Sequence, residues 1–240
     1  MSIVRFESVS HRYDNTYALS GISFDIRENK ITAIIGRSGG GKSTILQVIN
    51  GLIKPTAGNV IVFDNKLDYR RINDTRLKMG YSVQGTGLFP HLSVNDNIAL
   101  LGKITKMGRA DIERRVDTLM GFVDLKPSYK TRYPYELSGG EQQRVGLCRS
   151  MLLNPPIFLL DEAFAALDPA TKNEIHKEFL RLQDFEPRTI VMVSHDINEA
   201  LKLGDDLMII ENGEMQQYGI KEEVLSKPAN EFVRKYLGDR

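Results

Sequence analysis

The sequence predicts an α/β fold, a mostly parallel sheet interrupted by a helical insertion, and three observations predict it. Lys30–Gly36 is a short apolar run ending in glycine, and helical spacing follows over Ser43–Asn50, so a buried strand enters a helix through a tight loop. From Ile157 onward strand-like and helix-like segments alternate, the pattern of parallel strands joined by crossover helices. Between these stretches, Gln84–Asn154 reads as a helical lobe.

In order along the chain, Ile3–Val9, Ile22–Ile26 and Val60–Phe63 show the alternation or β-branched enrichment of strands. Leu92–Met107, Ala110–Leu125 and Glu141–Leu153 have helical patterning, with Ile112, Val116, Leu119 and Val123 spaced for one face. Ile157–Asp161 and Thr189–Ser194 read as core strands, Ala170–Leu182 and Ile197–Leu203 as helices. Leu207–Glu211 and Glu214–Tyr218 flank Asn212-Gly213, a hairpin signal. The tail from Lys221 is helical and broken at Pro228. The expected division is one domain, with a core of residues 1–83 and 155–240 and a lobe at 84–154.

Composition narrows the function classes. Apolar residues make up 41% and charged residues 26%, the balance of a soluble globular protein. Thirty-two basic residues face 31 acidic ones for a net charge of +1, which does not indicate a basic groove for nucleic acid. Cys148, the single cysteine, has no intramolecular disulfide partner and sits in a helical stretch, where a thiol is usually a small core filler. The N-terminus lacks the pattern of a signal peptide, and no apolar run approaches the ~18 residues a spanning helix needs. Any membrane role is therefore expected to come through a partner.

Gly36-Arg37-Ser38-Gly39-Gly40-Gly41-Lys42-Ser43 fits the phosphate-loop pattern G-x-x-x-x-G-K-[ST]. Glycines let the backbone wrap a phosphate with its N–H groups turned inward, and the helix start at Lys42-Ser43-Thr44 presents its positive end. Lys42 is expected to reach the outer phosphates, and Ser43 to offer an oxygen to Mg²⁺. Arg37, second in the loop, is expected to point outward. This motif alone means a nucleoside triphosphate and Mg²⁺; it leaves kinase, GTPase, helicase and transporter open.

Ile157-Phe158-Leu159-Leu160-Asp161-Glu162 is an apolar strand ending in two carboxylates, at the end of the sheet where ligands bind. Asp161 would hold Mg²⁺, and Glu162 would orient and polarise an attacking water. Leu137-Ser138-Gly139-Gly140-Glu141-Gln142-Gln143-Arg144 places a serine and two glycines at a helix start, a second anion site too far along the chain to be Lys42's own cradle.

That last segment resembles the signature of ABC ATPases, with Glu141 where the family usually has Gln, and the resemblance extends over nearly the whole chain. It implies a P-loop NTPase (RecA-like) core with a mostly parallel sheet, an N-terminal antiparallel β subdomain and an inserted α-helical subdomain. It implies ATP hydrolysis with Mg²⁺ by a head-to-tail homodimer, each ATP closed by the partner copy's Ser138, Gly139 and Gly140. By position in the family's motifs, Tyr13 stacks on adenine, Gln84 senses Mg²⁺ and water, Ala166-Leu167-Asp168 forms the D-loop, and His195 meets the γ-phosphate. His11, His91 and His176 receive no such role. Ala163 stands where many relatives have Pro, which leaves the loop after the acid pair less rigid.

The resemblance also reaches the type of system. Gly80–Leu92, Arg132–Ser138 and Pro228–Val233 look like the osmoprotectant importers, which carry glycine betaine, choline or carnitine. It implies integral membrane permease subunits, an extracytoplasmic solute-binding protein acting indirectly, no nucleic acid, and a peripheral place on the cytoplasmic face of the plasma membrane. Gly85-Thr86-Gly87-Leu88-Phe89-Pro90-His91-Leu92 is the expected permease contact, with Phe89 and Leu92 as candidates; lobe packing is the alternative for each. Many such subunits carry a CBS pair beyond this point, and none is expected in a chain ending at Arg240. An importer of polar amino acids, a soluble ABC ATPase acting on DNA or ribosomes, and a P-loop kinase are the other readings. A repair-type coiled coil is disfavoured by the lack of sustained heptads between Lys42 and Leu137, a ribosomal type by the single cassette, and a kinase by the signature.

Overall fold

The computed structural model describes residues 2–85 and 87–238, so Thr86 of the expected contact segment lies outside the described residues. Strands β1 (Ser2–Tyr13) and β2 (Thr16–Arg27) form an antiparallel hairpin that turns at Asp14, where φ is 50°. Both are longer than expected. Their inner ends bury Val4, Phe6, Ile22 and Phe24, whereas His11, Tyr13 and Tyr17 near the turn stay out of the core and leave no apolar alternation to read. Strand β3 (Ile31–Ile35), buried throughout, feeds α1 (Lys42–Ile49). Strand β4 (Ala57–Val62) stops short of the expected Phe63 because Phe63 and Asp64 take φ of 52° and 60° to turn into β5 (Asn65–Lys66).

The five-residue α2 (Ile72–Arg76) buries nothing, so no periodicity announced it, and β6 (Met79–Ser82) follows. Helix α3 (Val94–Ile104) starts at Ser93, whose hydroxyl accepts from Asp96 N. It packs on α4 (Arg109–Phe122) and α5 (Gly139–Met151). Then come β7 (Ile157–Asp161), α6 (Pro169–Phe185), β8 (Thr189–Val193), α7 (Ile197–Leu203), and the hairpin of β9 (Asp206–Glu211) and β10 (Glu214–Ile220). The tail forms α8 (Lys221–Ser226) and α9 (Glu231–Leu237), with Pro228 between them.

These strands make two sheets. One is antiparallel in the order β2-β1-β4-β5; the other has the order β10-β9-β3-β8-β7-β6, parallel except for β10. One face of the parallel sheet shares its core with the antiparallel sheet, through Ile34, Ile45, Leu159 and Val193 against Phe6 and Phe24. The other face shares its core with the helical segment, where Ile98, Val116 and Cys148 join Phe158, Met192 and Leu207. Cys148 is buried, and burial pushes its thiol pKa up. The order β3-β8-β7 sets the loops after these strands side by side at one sheet end, the position at which α/β proteins bind ligands. Among the described residues no helix is long and apolar enough to cross a membrane.

Candidate nucleotide site

The loop after β3 lies flat against β9, and glycine is what permits it. A Cβ on Gly36, where φ is 154°, would stand 2.0 Å from Ile210 O. One on Gly41, where φ is 103°, would stand 2.4 Å from Ala18 O. Gly41 opens α1 with no side-chain cap, so the first-turn N–H groups of that helix are not spent on a side chain. Lys42 Nζ donates to Gly36 O at 2.9 Å and Arg37 O at 2.8 Å, arching back over the loop. Burial pushes the Lys42 pKa down, while Glu162 and Asp161 draw it back up. Arg37 points outward as expected, exposed beside Glu211 and 5.7 Å from the Phe232 ring centre.

Asp161, only 3% exposed at the end of β7, accepts from Ser43 Oγ at 2.9 Å. Burial raises its carboxyl pKa above the ordinary value, against the opposing pull of Ser43 and Lys42. The next residue, Glu162, takes φ of 51°, an uncommon conformation for a residue with a Cβ, and its N–H donates to Val193 O at 3.1 Å. Its carboxylate is a meeting point. Gln84 Nε2 donates to Oε2 at 3.1 Å, and His195 Nδ1 stands 3.7 Å from the same oxygen. Gln84 follows β6 and His195 follows β8, so three strand ends converge there.

Lys42, Gln84 and Glu162 border a cleft of about 600 Å³ whose lining also includes Tyr13, Ser38, Ser43 and Thr44, with Asp161 bonded to Ser43 at its edge. That volume is in the range of nucleotide-sized ligand sites. Tyr13 ends β1 at the rim, half exposed, with its hydroxyl 3.5 Å from Gln47 Oε1. The hydroxyl of Ser43, the carboxylate of Asp161 and the amide of Gln84 are all oxygen donors, the set a hard divalent cation such as Mg²⁺ prefers.

The signature segment is arranged differently. Ser138 caps α5: its Oγ accepts from Glu141 N at 3.3 Å, and its N–H donates to Glu141 Oε2 at 2.8 Å. Burial raises the Glu141 pKa, but the Ser138 N–H and hydroxyl, Tyr129 and Arg144 together outweigh it, and the carboxyl stays below its ordinary value. A carboxylate thus closes the capping box at the start of α5. A Cβ on Gly139 would meet nothing within 4 Å, so that side of the helix start is open. Ser138, Gly139 and Gly140 do not line the Lys42 cleft, although Gly139 borders a neighbouring hollow with Gln84, Gly85 and Glu162. Asp168 also lies outside the cleft, capping α6 by accepting from Thr171 N at 3.0 Å. Within one chain the structure gathers the Gly36–Thr44 loop, Tyr13, Gln84, Asp161, Glu162 and His195, and leaves Ser138–Gly140 and Asp168 to one side.

One residue of the signature segment has a structural role at the site that the sequence alone does not assign to it. Gln143, 4% exposed on α5, donates Nε2 to Glu162 O and accepts Ala166 N–H at Oε1, both at 2.8 Å. It ties the signature helix to the loop after the acid pair and steadies that loop where Ala163 replaces Pro. A signal existed: Gln143 falls on the buried face of α5 with Leu147 and Ser150, a polar residue among core positions.

Comparison with known proteins gives the family and the fold. A family model described as ABC transporter matches residues 19–165. The chain is 40% identical over 237 residues to the glycine betaine/carnitine/choline transport ATP-binding protein OpuCA of Bacillus subtilis (strain 168), covering 98% of this chain and 62% of that protein. It is 39% identical over 236 residues to the glycine betaine uptake system ATP-binding protein YehX of Escherichia coli (strain K12), covering 98% and 77%. Among solved structures, a dimeric ATP-binding cassette in a post-hydrolysis state with ADP and Pi superposes with a TM-score of 0.85 at 31% identity, over 91% of this chain and 98% of that one.

Proposed function

Because the chain belongs to the ABC transporter family, we propose that it hydrolyses ATP as a head-to-tail pair of subunits and thereby powers import of a quaternary-amine osmoprotectant through a membrane permease. The observation that carries this reading is the convergence of Lys42, Ser43 and Glu162 on one cleft at the carboxyl end of the parallel sheet, with Asp161 bonded to Ser43 beside it. The Gly36–Thr44 loop and the positive end of α1 hold the phosphates, and Lys42 swings from the loop carbonyls to the terminal phosphate. Tyr13 packs on the base. Ser43 and Asp161, with Gln84 nearby, would hold Mg²⁺, which when bound would neutralise charge on the outer phosphates.

Glu162 accepts a proton from water as the water oxygen bonds to the γ-phosphorus and the bond to ADP breaks, releasing ADP and phosphate. His195 and the partner copy's Ser138, Gly139 and Gly140 meet the γ-phosphate from the other side, with Asp168 lining the seam. Closure around ATP and parting after hydrolysis transmit work to the permease. Residues 84–154 form the output lobe. Phe89, 42% exposed, offers an apolar contact on a loop gripped by buried Asn97, which accepts from Phe89 N and donates to the carbonyls of Phe89, Leu92 and Ser93. The substrate class is carried over from what the relatives' names state of those proteins, and a place on the cytoplasmic face of the membrane is part of the same proposal.

Glu162→Gln tests the reading. ATP binding stays while turnover falls by about 10²- to 10⁴-fold, the usual worth of a general base, and size-exclusion chromatography with ATP shows a trapped pair. Hydrolysis at the unsubstituted rate would remove Glu162 from the mechanism.

A further inference from the structure

The side chain of His195 is 60% exposed, yet both residues beside it are held from beneath. Ser194 Oγ donates to Glu199 Oε2 at 2.5 Å and accepts from Asp196 N at 3.0 Å. Asp196 caps α7, accepting from Asn198 N at 2.9 Å and Glu199 N at 3.4 Å. Lys172, in the first turn of α6, sets its Nζ 3.2 Å from Asp196 Oδ2 and 2.8 Å from Glu199 Oε1. One turn on, His176 brings Nε2 to 3.3 Å from the same Glu199 oxygen, its ring edge-on to Phe164 with centres 4.9 Å apart. Both contacts to Glu199 Oε1 are close in distance but miss hydrogen-bond alignment, so they act chiefly as charge and dipole attractions.

Glu199 is 5% exposed and His176 2%. A carboxylate so deep is costly unless its neighbours favour the ionised form. Burial pushes the Glu199 pKa up, and His176, Lys172 and Ser194 together outweigh it, bringing the group to about 2. Apolar side chains of similar volume would pack α6 on α7 at least as stably, so this arrangement is better explained by the geometry it fixes. What it fixes is the turn that carries His195. Lys172 and His176 belong to the helix that begins at Asp168, directly after the loop holding Glu162. The same carboxylate therefore faces the His195 turn on one side and the start of α6 on the other.

We propose that Glu199, gripped by Lys172 and His176, is the positioning residue for His195 and couples its imidazole to the Asp168 end of α6. This rests on the proposed contact of His195 with the terminal phosphate. Rotation of α6 as two subunits close would pull on Glu199, and through Ser194 and Asp196 on the imidazole. Glu199 itself touches no reacting atom.

A double-mutant cycle in the full chain tests this, with ATP turnover and ATP affinity measured for the unsubstituted chain, His195→Ala, Glu199→Gln and the pair. Glu199→Gln is expected to lower kcat about tenfold with the Kd for ATP changed by less than about twofold, the mark of an interaction that acts in the transition state. His195→Ala is then expected to cost at least about fivefold less in the Glu199→Gln background than in the unsubstituted chain. A merely structural role would lower the melting temperature and leave the two losses multiplicative, and multiplicative losses overturn the proposal. Turnover unchanged by His195→Ala alone would overturn the assignment of His195, and the positioning role with it. Should Glu199→Gln fail to fold, Lys172→Gln at the partly exposed edge of the cluster replaces it in the cycle: a reduced His195→Ala loss supports the coupling, and multiplicative losses overturn it.

Discussion

Two helix starts flanked by glycine face anions in this molecule, and they are finished in opposite ways. Helix α1 opens at Gly41 in a left-handed conformation with no side-chain cap, whereas α5 opens at Ser138 inside a closed capping box with Glu141. The first N–H groups of any helix lack partners within it and favour negative charge. At α1 no side chain caps the helix, Asp161 bonds the Ser43 hydroxyl and not the backbone N–H groups, and the lysine beside them donates to loop carbonyls. At α5 the chain supplies the Glu141 carboxylate. On the proposed reading the Lys42 loop is the receptor for a phosphate from solution, and the Ser138 start, already closed in its own chain, would engage a phosphate only against its open Gly139 side, brought there by another copy.

Substitutions can break this contrast. The largest effect is expected from Lys42→Ala, which removes the cation of the receptor site. ATP affinity should fall by roughly ten- to a hundredfold, the worth of one charge-assisted bond, with circular dichroism unchanged. Nucleotide titration checks this, and an unchanged affinity would mean that α1 is not the receptor. A smaller effect sharpens the contrast at α5. Glu141→Gln keeps the reach of the capping box but removes its charge, so the melting temperature should drop by about 1–4 °C, from the ~0.3–1 kcal/mol a carboxylate contributes at a helix start. Turnover should hold or rise, because a negative charge no longer faces the incoming phosphate. A fall in turnover with the melting temperature unchanged would show that the carboxylate itself serves the reaction.

The two helix starts also differ in how far the sequence disclosed them. The Lys42 loop and the Asp161-Glu162 pair are contiguous, so their residue types and order carry the chemistry directly. The strands of both sheets and the inserted helices were legible because apolar periodicity tracks burial, while the antiparallel pairing of the first sheet was implied by the family resemblance alone; α2, which buries nothing, and β5, two residues long, left no such trace. Gln143, Asn97 and the Lys172–His176–Glu199 cluster were missed for a different reason. Each works through partners that only folding brings close, as when Glu199 of α7 meets Lys172 and His176 of α6. His176 shows the limit well, since nothing near it in sequence distinguishes it from the exposed His91.

The central claim is that each working site is shared between two copies, one lending its Lys42 loop and the other its Ser138 helix start. Mixing two inactive chains, Lys42→Ala and Ser138→Arg, tests it most directly by ATP hydrolysis. In a mixed pair both lesions fall in one site and the other site is intact, so random pairing should restore about a quarter of the unsubstituted rate. Activity of Ser138→Arg on its own, or a mixture no more active than its parts, would contradict the shared site.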